Sequence, residues 1–267
     1  MVGDGTAVKR WILLSAFSLG IGGAAWCQEE APELPRVTLE GDAEYLRSSG
    51  WLFITRGSEP GSATRIHERR EFGLDSEGVP AFGATARIFE AHALGVRLES
   101  IDQKGTRSSP DDFVYHGTLY PAGREISAEA GFLLAGVDYQ YLWRPNEVLG
   151  ITPHLGFEYW GFSSRLRTVD PGPSIDEKRS FSSGYWLSGV DVGARLDPRV
   201  ELRLSLLGGV NGADRNFLDV RGGFWIRVVP AVSLSAGYLL QEVRFHTSTN
   251  RADLLYYGPS AGLEISF

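Results

Sequence analysis

The chain is poor in almost every feature from which a function is usually read. It has a single cysteine, Cys27, among 267 residues, which excludes a disulfide scaffold. Beyond the extreme N-terminus no stretch approaches the roughly 18 consecutive apolar residues of a membrane-crossing helix, so a membrane form of this protein would not be helical. Basic residues are outnumbered, 26 against 33 acids, for a net charge of −7. Such a surface is not built to neutralise phosphates, and nucleic acid is not expected as a partner. There is no glycine-rich phosphate loop between a strand and a helix, and His67, His92 and His116 are scattered without metal-ligand spacing, so neither cofactor nor metal is expected. What remains is ample apolar material, 43% of residues with 12% aromatic, and 33 glycines. That supports a full core and excludes a disordered chain.

Lys9 and Arg10 precede an apolar run, residues 11–26, that ends in small residues before Trp26. This is the make-up of a secretory signal peptide over residues 1–27, cut after Ala25 or after Cys27. The rival reading, a lipoprotein acylated at Cys27, puts the bulky Trp26 where a small residue is expected. A cut after Cys27 leaves an exported chain with no thiol to mispair in an oxidising compartment. Residues 28–35, Gln-Glu-Glu-Ala-Pro-Glu-Leu-Pro, read as a short acidic periplasmic linker.

From residue 36 onward hydrophobicity alternates with period two, and nowhere does it recur at helical spacing for three turns. In the last segment Leu255, Tyr257, Pro259, Ala261, Leu263, Ile265 and Phe267 share one face, opposite Tyr256, Gly258, Ser260, Gly262, Glu264 and Ser266. Val200, Leu202, Leu204 and Leu206 likewise oppose Glu201, Arg203 and Ser205. The pattern predicts strands over 36–48, 79–90 (with a start near 66 as the alternative), 93–107, 124–143, 148–168, 179–196, 199–209, 214–228, 231–246 and 252–267. Tight links such as Asp197-Pro-Arg199 alternate with longer polar ones near 49–78, 108–123, 169–178 and 247–251. A meander with short turns at one end and long loops at the other predicts an all-β, transmembrane, antiparallel up-and-down β-barrel over 36–267. About ten strands are expected, with eight or twelve as the fallback.

A soluble sandwich or lipocalin-like barrel also alternates, with its apolar face inward. The polar face separates the two readings. Gly95, Gly136, Gly156, Gly189, Gly193, Gly223 and Gly262, among charges of both signs, suit a narrow curved interior better than a solvated exterior. Aromatics also gather at strand ends: Tyr139, Tyr141 and Trp143 beside a short turn, and Tyr159, Trp160, Tyr185, Trp186 and Tyr257 nearer the long loops. Two such groups are expected of the girdles at membrane interfaces.

The chain closes with Leu263-Glu264-Ile265-Ser266-Phe267, a terminal aromatic preceded by apolar residues at alternate positions. This resembles the C-terminal signature of small Gram-negative outer-membrane β-barrel proteins of the OmpA, OmpW and omptin class. The resemblance implies an outer-membrane location after signal-directed export, with outer-membrane lipids as surroundings. It also implies that Phe267, Ile265 and Leu263 form the signal read by the barrel-assembly machinery. Residues 113–123 resemble a loop hairpin of such barrels.

In this register the lumen-facing charges are Glu40, Asp42 and Glu44, then Arg87, Arg97 and Glu99, Asp138, His154 and Glu158, Asp191 and Arg195, Glu201 and Arg203, Asp219, Arg221 and Arg227, and Glu264. Acids and arginines are nearly balanced, and buried charges must pair, so a largely plugged, charge-paired lumen is expected. Barrels of eight to ten strands are nearly filled by their own side chains, whereas open channels take about 16. The expected role is structural or surface-interacting, with at most slow permeation of small solutes, and with loops 49–78 and 108–123 as contact surfaces for an extracellular ligand. A narrow ion or solute channel is one alternative.

An outer-leaflet hydrolase is the other. His246-Thr247-Ser248, with Asp253 or Glu264, is superficially similar to the His-x-Ser element of lipid A deacylases, where the His activates the Ser and a carboxylate orients the His. Glu264, however, lies at the opposite end of its strand from Ser248. An omptin-like protease would also have ten strands, but the pair of Asp residues and Asp–His pair that it would carry at its outer rim is not evident. His154 and Glu158, four apart on one strand, lie about 13 Å from each other, too far for a dyad.

Overall fold

A computed structural model describes residues 36–55, 63–74, 77–169, 174–212, 215–246 and 250–267. The expected signal peptide and linker fall outside these described residues, as does Ser248. The strands are β1 (Val37–Ile54), β2 (Ile66–His67), β3 (Glu77–Phe89), β4 (His92–Ser108), β5 (Phe113–Tyr115), β6 (Thr118–Tyr120), β7 (Glu125–Tyr141), β8 (Leu149–Thr168), β9 (Asp176–Asp197), β10 (Val200–Val210), β11 (Arg215–Val229), β12 (Val232–His246) and β13 (Asn250–Ser266). Ten of them form one antiparallel sheet in the order β13-β12-β11-β10-β9-β8-β7-β4-β3-β1. That sheet closes on itself through β1 and β13, paired from Thr38↔Ser266 to Ile54↔Asn250. Closure removes both sheet edges. Arg36 N–H donates to the Phe267 carbonyl at 2.7 Å, so the barrel begins and ends at the short-turn end, as an even strand count requires.

The ten expected strands are all present, with shifted ends. β1 continues to Ile54 instead of stopping at 48, because its distal part pairs with β13 and, at Trp51↔His67 and Leu52↔Ile66, with β2. The long link after β1 is therefore not simply a loop: β2 leads into one wide helical turn, Glu68–Phe72, that ends at Gly73 with φ of 64°. The turn packs against β4 at Gly105, where an added Cβ would come within 2.3 Å of the Gly73 carbonyl oxygen, so a glycine is required there. The second long link folds into the hairpin β5–β6. Its two-residue turn, His116-Gly117, has φ of 50° and 81°, positive at both positions as tight hairpins demand. Among the described residues no helix is long and apolar enough to cross a membrane.

One expectation fails. The apolar face was expected to point outward along whole strands, yet the barrel consists of two sections of opposite polarity. Toward the short turns, β8 points Leu149, Ile151, Pro153, Leu155, Phe157 and Tyr159 outward and His154 and Glu158 inward. Beyond Tyr159 the assignment inverts: Gly161, Ser163, Arg165 and Arg167 face out, while Trp160, Phe162 and Leu166 are buried inside. β9 mirrors it, with Trp186, Val190, Val192 and Leu196 outward below and Lys178, Ser180 and Ser182 outward above. β4 and β7 change over near Ile101 and Leu134. Two members of the expected distal girdle are corrected by this inversion. Trp160 and Tyr185 are 5% and 1% exposed and belong to the interior, whereas Trp186, at 70%, does face outward.

The distal interior is a conventional hydrophobic core. Phe132 of β7 packs on Phe162 of β8 at 4.7 Å between ring centroids and on Tyr256 of β13 at 5.3 Å. Phe181 links Phe162 to Phe245 of β12, at 4.6 and 4.4 Å. The rings thus bridge strands that are not neighbours in the sheet and fill the lumen. Above them the hairpin and the Glu68–Phe72 turn form a cap. Phe72 meets Phe113, Phe113 stacks on Tyr120 at 4.9 Å, and the Tyr115 hydroxyl shares a hydrogen bond of 2.5 Å with Ser164.

Candidate functional site

Below the aromatic layer the lumen holds the charged side chains. They form three groups: in two of them long side chains reach across the lumen between strands that are not neighbours, and in the third register sets inward positions of adjacent strands side by side. The largest is centred on Arg221 of β11, which donates to Glu44 at 2.6 Å, to Glu99 at 2.9 Å and to Asp219 at 3.1 Å. Arg97 of β4 reaches Glu99 at 2.8 Å and Asp219 at 2.6 Å. Gln241 of β12 donates to Glu99 and Asp219 at 3.0 and 3.1 Å. The carboxylates of Glu44, Glu99 and Asp219 are essentially inaccessible to solvent. A desolvated network of this kind survives only if each carboxylate keeps a guanidinium partner.

In the second group Arg203 of β10 spans the lumen to Glu264 of β13 at 2.5 Å and bonds Glu201 at 3.1 Å, with its guanidinium 4.8 Å from the Trp225 ring centroid. In the third, the His154 imidazole stands between two carboxylates on the flanking strands, Nδ1 at 2.7 Å from Asp138 and Nε2 at 3.0 Å from Asp191. Their positions on opposite sides of the ring cannot converge on one ion. Among the described residues no set of three or more such ligands is arranged to hold a metal.

Not every expected lumen residue joins a group. Glu158 accepts a 2.6 Å hydrogen bond from the Trp160 indole rather than from an arginine. Among the described residues Asp42 meets the Ser235 hydroxyl, at 3.4 Å, and no arginine. Glu40, Arg87, Arg195 and Arg227 form no ion pair among the described residues. Instead a cavity of about 360 Å³ opens among the inward residues at the short-turn end, lined by Glu40, Asp42, Asp138, Asp191, Arg144 and Arg203 among others.

The catalytic candidate divides in the same way. His246 bonds Asp253 at 2.9 Å, but it lies on the outer wall, 6.2 Å from the Trp51 ring, and not in the lumen. Ser248 lies outside the described residues. Glu264 is committed to Arg203 at the other end of the barrel and is excluded as the orienting carboxylate. Of the scattered histidines, His92 lies against Tyr139 and Tyr141, and His116 accepts a 2.5 Å hydrogen bond from Arg179.

Residues that the alternation did not single out include Gln241, which completes the network, and Glu68, fully buried in the turn between β2 and β3. Burial pushes the Glu68 carboxyl up to about 7, with the Ser48 hydroxyl a weaker opposing influence. A signal for the distal core was present, since β8 carries apolar residues at odd positions up to Tyr159 and at even positions from Trp160. No pattern marks Glu68, which follows a two-residue strand within a polar link.

No family model and no curated protein matches the sequence. Solved structures do match in fold. The outer-membrane protease OmpT from Escherichia coli is similar over 89% of this chain and 99% of its own, with a TM-score of 0.59 at 10% sequence identity. The translocator domain of the autotransporter NalP from Neisseria meningitidis covers 90% of each chain, with a TM-score of 0.44 at 9% identity. The transport unit of the autotransporter AIDA-I from Escherichia coli covers 91% of this chain and 93% of its own, with a TM-score of 0.48 at 11% identity. The OmpT likeness and the closed ten-strand topology establish one point: this chain has the fold of an outer-membrane β-barrel.

Proposed function

We propose that the protein resides in an outer membrane as a sealed barrel with a structural or surface-contact role, passing small solutes slowly at most. The observation that carries this reading is the double closure of the lumen, by the network around Arg221 and by the aromatic layer from Phe132 to Phe245. The outward apolar run on β8 from Leu149 to Tyr159 fits the location. Ten residue steps at about 3.3 Å, tilted by about 40°, give roughly 25 Å of height, the apolar band of such barrels. In this placement the last strand, with Leu263, Ile265 and Phe267 outward, is what the barrel-assembly machinery would read. The section beyond the band stands in water, and it narrows the contact surface expected of the long loops. Phe72, Phe113, Tyr115 and Tyr120 are spent inside the cap, which leaves its outer side and the polar wall around Arg165, Asp176 and Lys178 for an extracellular partner. Planar-bilayer recording of the purified barrel tests the seal: no steady current is expected, and sustained ohmic conductance would overturn it.

A second reading rests on the His246–Asp253 pair, which sits on the outer wall of the section beyond the apolar band. If it orients Ser248 as a nucleophile, lipid A from cells expressing the protein should carry a modification that Ser248→Ala abolishes. Unchanged lipid A with the wild-type protein removes the hydrolase.

A further inference from the structure

The cavity at the short-turn end has charges left over on both sides. Arg144, in the turn after β7, lines it together with Arg203, and Arg195 and Arg227 are the last inward-facing arginines of β9 and β11. Of the arginines that line the cavity, Arg97, Arg203 and Arg221 are held by carboxylates, while Arg144 forms no ion pair among the described residues, nor do the nearby Arg195 and Arg227. Desolvation first, then the charge of Arg195 and more weakly those of Arg203 and Arg227, hold the Arg144 guanidinium below the usual arginine range against the opposing charge of Glu201. A guanidinium with no ion pair among the described residues, Arg144, leaves a place for a planar anion, which arginine binds in two-pronged fashion.

Acids on the same cavity are equally unspent. Glu40 makes no ion pair among the described residues, and its register partner Glu264 is already held by Arg203. Among the described residues Asp42 has a hydroxyl contact only, and Asp191 uses one carboxylate oxygen on His154 while the other has no hydrogen bond. A free anion would satisfy the arginines and leave these acids bare; a free cation would do the reverse. Only a ligand carrying both charges meets both walls, and about 360 Å³ is at the small end of ligand pockets.

We propose that this cavity binds a small zwitterion, an amino acid or short peptide, with its carboxylate on Arg144 and its ammonium against Glu40 and Asp191. The site lies at the opposite end of the barrel from the cap and does not depend on a surface role.

The test is calorimetric titration of the detergent-folded, full barrel with L-alanyl-L-alanine, its C-terminal amide, its N-acetyl form, inorganic phosphate and butylamine. The dipeptide should bind, and masking either end should weaken it by about tenfold or more, the worth of one charge-assisted contact. Arg144→Gln should erase the penalty for the amide, and Glu40→Gln the penalty for the acetyl form. The masked peptides decide the matter on the wild-type protein even where a variant fails to assemble. Equal binding of the masked forms overturns the proposal. So does phosphate or butylamine binding as tightly as the dipeptide, or no binding at all.

Discussion

The two sections of the barrel share strands, register and hydrogen bonding, yet they solve opposite problems. Near the short turns Leu204, Phe157 and Val192 face out, and charges are confined within; beyond Tyr159 the wall outside is Ser163, Arg165 and Lys178, and the inside is Phe132, Phe162 and Phe245. The backbone is indifferent to this inversion, since a β-strand offers alternate residues to either side. On the proposed membrane placement, what decides it is the medium against the outer wall. In lipid an outward charge is expensive, so polar groups turn inward and must pair; in water hydrophobic burial points inward as in any soluble domain. The charge network sits at the change of regime, with Glu44 of β1 immediately below Leu46, and Glu99 of β4 immediately below Ile101.

The most severe way to break this arrangement is at that junction. Arg221→Met leaves Glu44 without its ion-pair partner and Glu99 and Asp219 dependent on Arg97 and Gln241. Removing one member of a buried ionic cluster costs about 3–5 kcal/mol. Urea unfolding of the barrel refolded in detergent should show this loss, and a shift below about 1 kcal/mol would mean that the network is solvated and does not seal the lumen.

Placing one substitution in both sections sharpens the contrast. Leu204, outward near the middle of β10, should lose about 2–4 kcal/mol as Leu204→Arg in a lipid bilayer. Ser163→Arg, outward on β8 beside residues that already include Arg165, should fall within about 0.5 kcal/mol of wild type. Equal penalties at the two positions would remove the distinction between a lipid-facing and a water-facing section.

Much of the first section was legible in the sequence, and less of the second. Alternation with tight turns was enough for ten strands, for the closure of β13 on β1 and for the inward register of Arg97, Glu99, Asp219 and Arg221. Treating each strand as having one apolar face concealed the change of parity, although Trp160 directly follows Tyr159 and Tyr256 directly precedes Tyr257. The link 49–78 was opaque for a different reason. Its burial depends on contacts far away in sequence, Phe72 with Phe113 and Gly73 with Gly105, which local periodicity does not encode. Pairing partners were equally hidden. Alternation sets a side chain's direction but not its reach, and nothing local distinguishes Arg221, with three carboxylates, from Arg227, with none among the described residues.

The most local effect expected concerns Glu68, a carboxyl buried where the cap meets the lumen. Burial raises its carboxyl from about 4.5 to about 7, and no arginine, lysine or histidine among the described residues pairs with it. Below the lower value the group is protonated whether the chain is folded or not, and it carries no penalty. Between the two values the unfolded chain releases a proton that the folded one retains, so stability falls as pH rises, and above about 7 the full cost of the buried charge remains. That cost is on the order of 1–3 kcal/mol. It should appear first in the cap, which Glu68 anchors through its own turn, while the strands of the lipid-facing section keep their closed hydrogen-bond ladder. Hydrogen exchange is the measurement that separates the two. Corrected for intrinsic rates, protection of residues 63–74 should decline from pH 5 to 8 in the wild-type barrel and stay nearly level in Glu68→Gln, whose neutral amide does not titrate. An identical decline in both proteins would place the pH sensitivity elsewhere.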